Sequence, residues 1–83
     1  MKYYVYIVEC ADKTLYTGIA RDVKKRVAEH NSDGTVGAKY TRARQPVRLR
    51  YSERKISRSA ALKREHAIKC LTRAEKMKLI RDT

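Results

Sequence analysis

Phenylalanine and tryptophan are absent from this chain, and glycine occurs only three times, cysteine twice and proline once in 83 residues. So little glycine and proline excludes a collagen-like or low-complexity chain. The two cysteines, Cys10 and Cys70, stand far apart, with neither a Cys-x-x-Cys pair nor clustered histidines. That excludes zinc-finger spacing, and both read as free, small, buried apolar residues. No run of ~18 apolar residues occurs, which excludes a membrane-spanning helix. The opening Met1-Lys2-Tyr3-Tyr4 lacks a signal-peptide apolar stretch, so the expected location is the cytoplasm, where a disulfide is not expected.

Negative charge is also scarce. Nine Asp and Glu face 21 Lys and Arg, a net charge of +12 at pH 7. Self-repulsion of that size opposes folding, and its natural counterpart is a polyanion, nucleic acid first. No segment combines a basic face with a bulky apolar one, so a membrane surface is not expected. What is present suffices for one small core: 42% of the residues are apolar, and all six aromatics are tyrosine. The expectation is a single domain over residues 1–83, a monomer, with no protein partner to be inferred.

Lys2–Cys10 is rich in β-branched and aromatic residues and nearly continuous in hydrophobicity, which predicts a strand buried on both faces. Leu15–Ile19 resumes that composition after a polar break, so the two form a hairpin. Asp22 is placed to cap a helix carrying Val23 and Val27 on one face and Arg26 and His30 on the next, ending at Asn31–Gly34. Thr35–Pro46 reads as a loop. Val47–Ser52 alternates with period two, a half-buried strand whose exposed face carries Arg48 and Arg50. Ser57 or Ser59 opens a second helix, and Thr72-Arg73-Ala74-Glu75 is a capping box for a third with Met77 and Ile80 inward. The order is β-β-α-β-α-α, an α/β chain of the α+β sandwich type.

Three features carry chemistry. Glu65 falls midway between Leu62 and Ile68 on the helix stripe of Ala61, Leu62, Ile68 and Leu71, where a carboxylate needs a cation: an ordinary salt bridge or a metal. Arg26 and His30 adjoin an apolar stripe and read either as a solvated basic face, as Lys24 and Lys25 do, or as site residues. The stretch from Lys39 to Arg58 holds eight basic residues (among them Arg42, Arg44, Arg48 and Arg50) against Glu53 alone, a belt suited to phosphates.

Tyr4-Val5-Tyr6, Tyr16-Thr17-Gly18, Arg26-x-x-x-His30-Asn31 and Ala61-Leu62-Lys63-Arg64-Glu65, in that order and at those spacings, resemble the GIY-YIG nuclease domain over nearly the whole chain. Gly37–Arg42, Pro46–Leu49 and Leu71–Lys76 are similar to the small stand-alone bacterial proteins of the YhbQ type. Tyr4 stands where the family has glycine, Thr17 where it has isoleucine, and no asparagine follows Glu65. The resemblance implies a three-stranded antiparallel sheet flanked by helices and a DNA endonuclease using one divalent cation, Mg²⁺ or Mn²⁺. It implies Tyr6, Tyr16, Arg26, His30 and Glu65 as catalytic residues, with Glu65 the metal ligand and either tyrosine the base. Lys39, Arg42, Arg44, Arg48 and Arg50 then become the DNA-tracking residues. With no added targeting domain in the chain, single-stranded or distorted DNA is the expected substrate. The alternative is a nucleic-acid-binding module of the same fold without catalysis.

If Tyr6 and Tyr16 share one site, period-two alternation demands an odd-length connection or a bulge in the first hairpin.

Overall fold

A computed structural model describes residues 2–31 and 44–82. Lys39 and Arg42 lie outside the described residues. Three strands form one antiparallel sheet: β1 (Tyr3–Glu9), β2 (Leu15–Ala20) and β3 (Arg48–Lys55), in the order β2-β1-β3. Three helices accompany it: α1 (Val23–His30), α2 (Arg58–Lys69) and α3 (Arg73–Arg81). Among the described residues the order is the expected β-β-α-β-α-α, and no helix is long and apolar enough to cross a membrane.

The central strand has both faces covered, which is why its sequence reads as a continuous apolar run. Val5 and Ile7 pack against Tyr51, Ala61 and Ile68 under α2, with Leu79 and Ile80 of α3 alongside. Tyr6, Val8 and Cys10 pack on the opposite face with Val47, Tyr16, Val23 and Val27 under α1. Each such fully buried aliphatic side chain stabilises the fold by ~1.5–3 kcal/mol relative to exposure.

The helix starts are the ones the caps dictate. Asp22 accepts from the Lys25 N–H at 3.1 Å, Ser57 from the Ala60 N–H at 3.1 Å, and Thr72 and Glu75 form the reciprocal capping box. The first hairpin has an odd-length connection, residues 10–14. Asp12 accepts from both the backbone and the hydroxyl of Thr14, and Lys13 takes a left-handed φ of 72°. This register pairs Val8 with Tyr16 and Tyr6 with Gly18, so both tyrosines reach the α1 face.

Three expectations are corrected. β3 does not alternate evenly. Ile7 pairs with Tyr51 but Val8 with Leu49, leaving Arg50 as a bulge. Leu49 is thereby turned to the α1 side and left 39% exposed, while Arg50 is half-buried against Glu9. Cys70, expected buried, is exposed as the C-cap of α2, and only Cys10 is interior. Ala61 and Ile68 carry the buried stripe of α2 alone, and Leu62 is 38% exposed.

Candidate active site

The site grows from one glycine. A Cβ built on Gly18 would come within 2.6 Å of the Tyr6 hydroxyl and 2.8 Å of its Cζ. Only a residue without a side chain lets the Tyr6 ring lie across β2. So placed, the Tyr6 hydroxyl is 2.8 Å from Nε2 of His30, both side chains being fully buried. The Arg26 guanidinium, one helical turn before His30, also hydrogen-bonds the Tyr6 oxygen. The arrangement is satisfied when Arg26 donates to Tyr6 and Tyr6 donates its phenolic proton to His30.

His30 is the meeting point of the two tyrosines. Its ring centroid lies 5.9 Å from that of Tyr6 and 5.5 Å from that of Tyr16, the latter edge-on. Its place at the last turn of α1 is fixed by neighbours. The Gln45 side chain donates to its carbonyl. Asn31 grips the backbone of Val47 at both ends, donating to its carbonyl at 3.0 Å and accepting from its N–H at 2.6 Å. The helix end and the start of β3 are thus joined as two strands would be.

Burial sets the protonation states. It pushes the Tyr6 hydroxyl up to about 12, opposed by the Arg26 hydrogen bond and reinforced by Tyr16 and Glu65. Burial, then the neighbouring Arg26 charge, holds His30 below its ordinary 6.5. At neutral pH the imidazole is therefore neutral, the form in which Nε2 accepts the hydrogen bond of its tyrosine partner.

Glu65 belongs to α2, yet its charge reaches Tyr6. Its side chain is 19% exposed, and the Lys69 ammonium lies 3.4 Å away at i+4. Of the expected inward placement between Leu62 and Ile68, only the Ile68 side is buried, Leu62 being 38% exposed, and the carboxylate has an ion-pair partner. Tyr6, Tyr16, Arg26 and His30 are thus brought together, with Glu65 within electrostatic range.

The basic belt is less free than its sequence suggests. Arg44 pairs with Asp12 at 3.0 Å, Arg48 with Glu9 at 3.2 Å, and Arg50 with the same Glu9. The exposed Arg44–Asp12 pair is weak, and Arg48 keeps 72% of its side chain exposed, whereas Arg50 is held in a part-buried pair.

Sequence reasoning missed the cations nearest the site. A cleft of about 440 Å³ between β2 and α1 is lined by Ile19, Arg21, Asp22, Lys25, Arg26 and Glu29. Asp22, Lys25, Arg26 and Glu29 follow i, i+3, i+4, i+7 spacing, a signal of one shared face that was legible in the chain. Glu29 pairs with Arg26 at 3.0 Å and orients it along the cleft.

As for metal, the described residues hold no cluster of three or more His, Cys, Asp or Glu. A lone hard carboxylate such as Glu65 fits a hydrated Mg²⁺ or Mn²⁺, which keeps most of its waters and takes one or two protein oxygens. It does not fit a soft metal.

Comparison with known proteins places this geometry. The model of the family described as GIY-YIG catalytic domain matches residues 2–79. A UPF0213 protein of Natronomonas pharaonis is 56% identical over 80 residues, covering 96% of this chain and 92% of that one. A UPF0213 protein of Staphylococcus saprophyticus is 52% identical, covering 95% and 94%. The solution structure of a UPF0213 protein from Bacillus halodurans superposes with a TM-score of 0.60 at 42% identity, covering 96% of this chain and 83% of that one. That of a protein from E. faecalis gives 0.65 at 38% identity, covering 99% and 85%.

Proposed function

The chain belongs to the GIY-YIG catalytic-domain family, and from that premise we propose that it is a divalent-metal-dependent endonuclease hydrolysing phosphodiester bonds of DNA. The observation that carries this reading is the buried Tyr6–His30 hydrogen bond with the half-buried Arg26 beside it, at the side of a cationic cleft. A purely structural polar cluster would not need an arginine facing a cleft lined by two further cations.

Each side chain has a role that its surroundings support. Arg26, with Lys25 and Arg21 beside it, binds the scissile phosphate and stabilises the charge that gathers on it. A tyrosine serves as base toward the attacking water. Tyr6 can do so only by passing its proton on, because at about 12 it holds that proton firmly at neutral pH. Neutral His30, 2.8 Å away, is the acceptor for that transfer. Tyr16, half-buried with its edge on His30, is the other candidate base. Glu65 would hold the divalent cation, which supplies Lewis-acid stabilisation of phosphate charge when bound. Arg44, Arg48 and Arg50, together with Lys39 and Arg42, track the DNA backbone beyond the cleft. A cleft this open on so small a chain suits single-stranded or distorted DNA, whose backbone bends into it. We place the reaction in the cytoplasm, a reducing compartment that suits the free Cys10 and Cys70.

The test is cleavage of plasmid and of matched single-stranded, nicked, flapped and duplex oligonucleotides, with Mg²⁺, Mn²⁺ or chelator. The expected result is metal-dependent cutting, fastest on single-stranded or distorted substrates and absent in Glu65→Gln. DNA binding without cutting under every condition rejects the enzyme and leaves a binding module. Fastest cutting of intact duplex rejects the substrate preference alone.

A further inference from the structure

The opposite flank of α1 carries a second groove that the chemistry above does not use. It lies between the first turn of α1 and β3, holds about 330 Å³, and is lined by Tyr4, Arg21, Val23, Lys24, Leu49 and Ser52, with the capping Asp22 beside them. This is within the size range of small-ligand clefts, roughly 300–1,000 Å³.

Register explains how these residues meet. Tyr6 pairs with Ser52 and Val8 with Leu49, so Tyr4, Ser52 and Leu49 come to one face of the sheet. Leu49 arrives there only through the bulge at Arg50; on an unbroken strand it would share the face of Tyr51. The groove therefore has an apolar floor, a phenol ring at one end and two cations at its rim.

An aromatic ring and an exposed leucine beneath a cationic rim match the two halves of one nucleotide, a flat base and an anionic phosphate. Continuity strengthens the match. Arg21 lines both this groove and the Arg26 cleft. A strand whose phosphate lies against Arg26 can pass around the start of α1 and bring a neighbouring nucleotide to Tyr4.

We propose that the α1–β3 groove is a nucleobase subsite, holding the unstacked base of a nucleotide beside the scissile phosphate, with Tyr4 as the stacking platform, Lys24 on the flanking phosphate and Arg21 at the junction of the two sites. The subsite's place next to the scissile bond rests on the nuclease reading; its binding of a base does not.

A double-mutant cycle tests it, run in chelator so that no cleavage is needed. Parent chain, Tyr4→Leu and Tyr4→Trp are titrated with a single-stranded oligonucleotide and with a set in which each base in turn is removed to an abasic sugar. Tyr4→Leu keeps apolar bulk and strand preference, and circular dichroism and thermal melting check that it folds. At one position the parent should lose affinity roughly tenfold on removal of the base, the size expected for one base–aromatic stack. Tyr4→Leu should lose about as much with the base present and nothing more without it, and Tyr4→Trp should keep the parent's coupling. Equal losses for parent and Tyr4→Leu at every position overturn the subsite, whether or not the chain cuts DNA. Coupling at Tyr4 in a chain that never cuts upholds the base site and rejects the nuclease.

Discussion

The two faces of the sheet are built from the same three strands but to different ends. Under α2 and α3, Val5, Ile7, Ala61 and Ile68 are fully buried, and a charged cluster closes their margin. There Glu53 accepts from the Tyr51 hydroxyl and from Arg64 at 2.8 Å, and pairs with Lys55 at 3.1 Å. Under α1 the buried volume goes instead to Tyr6 and His30, whose polar atoms meet each other and Arg26. A buried imidazole and phenol contribute less to stability than two aliphatic side chains of like volume. The comparison teaches that one face is given to apolar packing and the other to a buried hydrogen-bonded phenol and imidazole, the pair that the proposed chemistry uses.

If that division is right, substitutions on the two faces should separate cleanly. Ile68→Ala, on the apolar face, should lower unfolding free energy by ~2–5 kcal/mol in a denaturant titration, with cleavage per folded molecule unchanged. Arg26→Ala, on the other face, should do the reverse: cleavage should fall by ~10²–10³ in single-turnover assays while the melting transition moves little. Comparable stability losses from the two would break the comparison.

Gly18→Ala probes the seam. The added Cβ meets the Tyr6 ring from the backbone side, so something must shift, at a cost of ~1–3 kcal/mol. The ring is what can move, and cleavage should drop with it. A variant that melts lower yet cuts normally would show that Tyr6 need not lie where it does.

A smaller effect is expected on the apolar face. Thr17 shares the side of Ile7, is 3% exposed, and its hydroxyl has no hydrogen-bond partner among the described residues. Thr17→Val removes that orphan without changing shape and should raise stability by ~1 kcal/mol in the same titration. No gain would mean that the hydroxyl is satisfied by solvent.

The smallest effect is on pH dependence. His30 is held below 6.5 in the folded chain, so as pH falls past 6.5 the unfolded chain takes up that proton first. Stability should decline from there until the folded imidazole is itself protonated. In His30→Gln that part of the decline should vanish, whatever the variant's stability at pH 8. A parent whose stability is flat between pH 7 and 5 would contradict a buried neutral imidazole.

Much of this was legible in the chain because it depends on neighbours in sequence. Asp22, Ser57 and the Thr72–Glu75 box announce helix starts through local hydrogen bonds. The odd hairpin connection followed from requiring Tyr6 and Tyr16 on one face. What was not legible depends on register across strands. The bulge at Arg50 has no signature in an alternating stretch, so Leu49 was expected in the core and the groove beside it was invisible. Glu9 and Asp12 look solvated in sequence, and only strand pairing brings Arg48 and Arg50 to the first and Arg44 to the second. The Lys69 partner of Glu65 could be placed in sequence only at the edge of the stripe, since i+4 spacing allows a pair without requiring it.

The grip of Asn31 on Val47, with Gln45 on the carbonyl of His30, has a mechanical consequence. Three hydrogen bonds, each contributing ~0.5–1.5 kcal/mol net, tie the last turn of α1 to the segment that enters β3. A displacement of that segment is therefore felt at the imidazole, although the two lie on different elements.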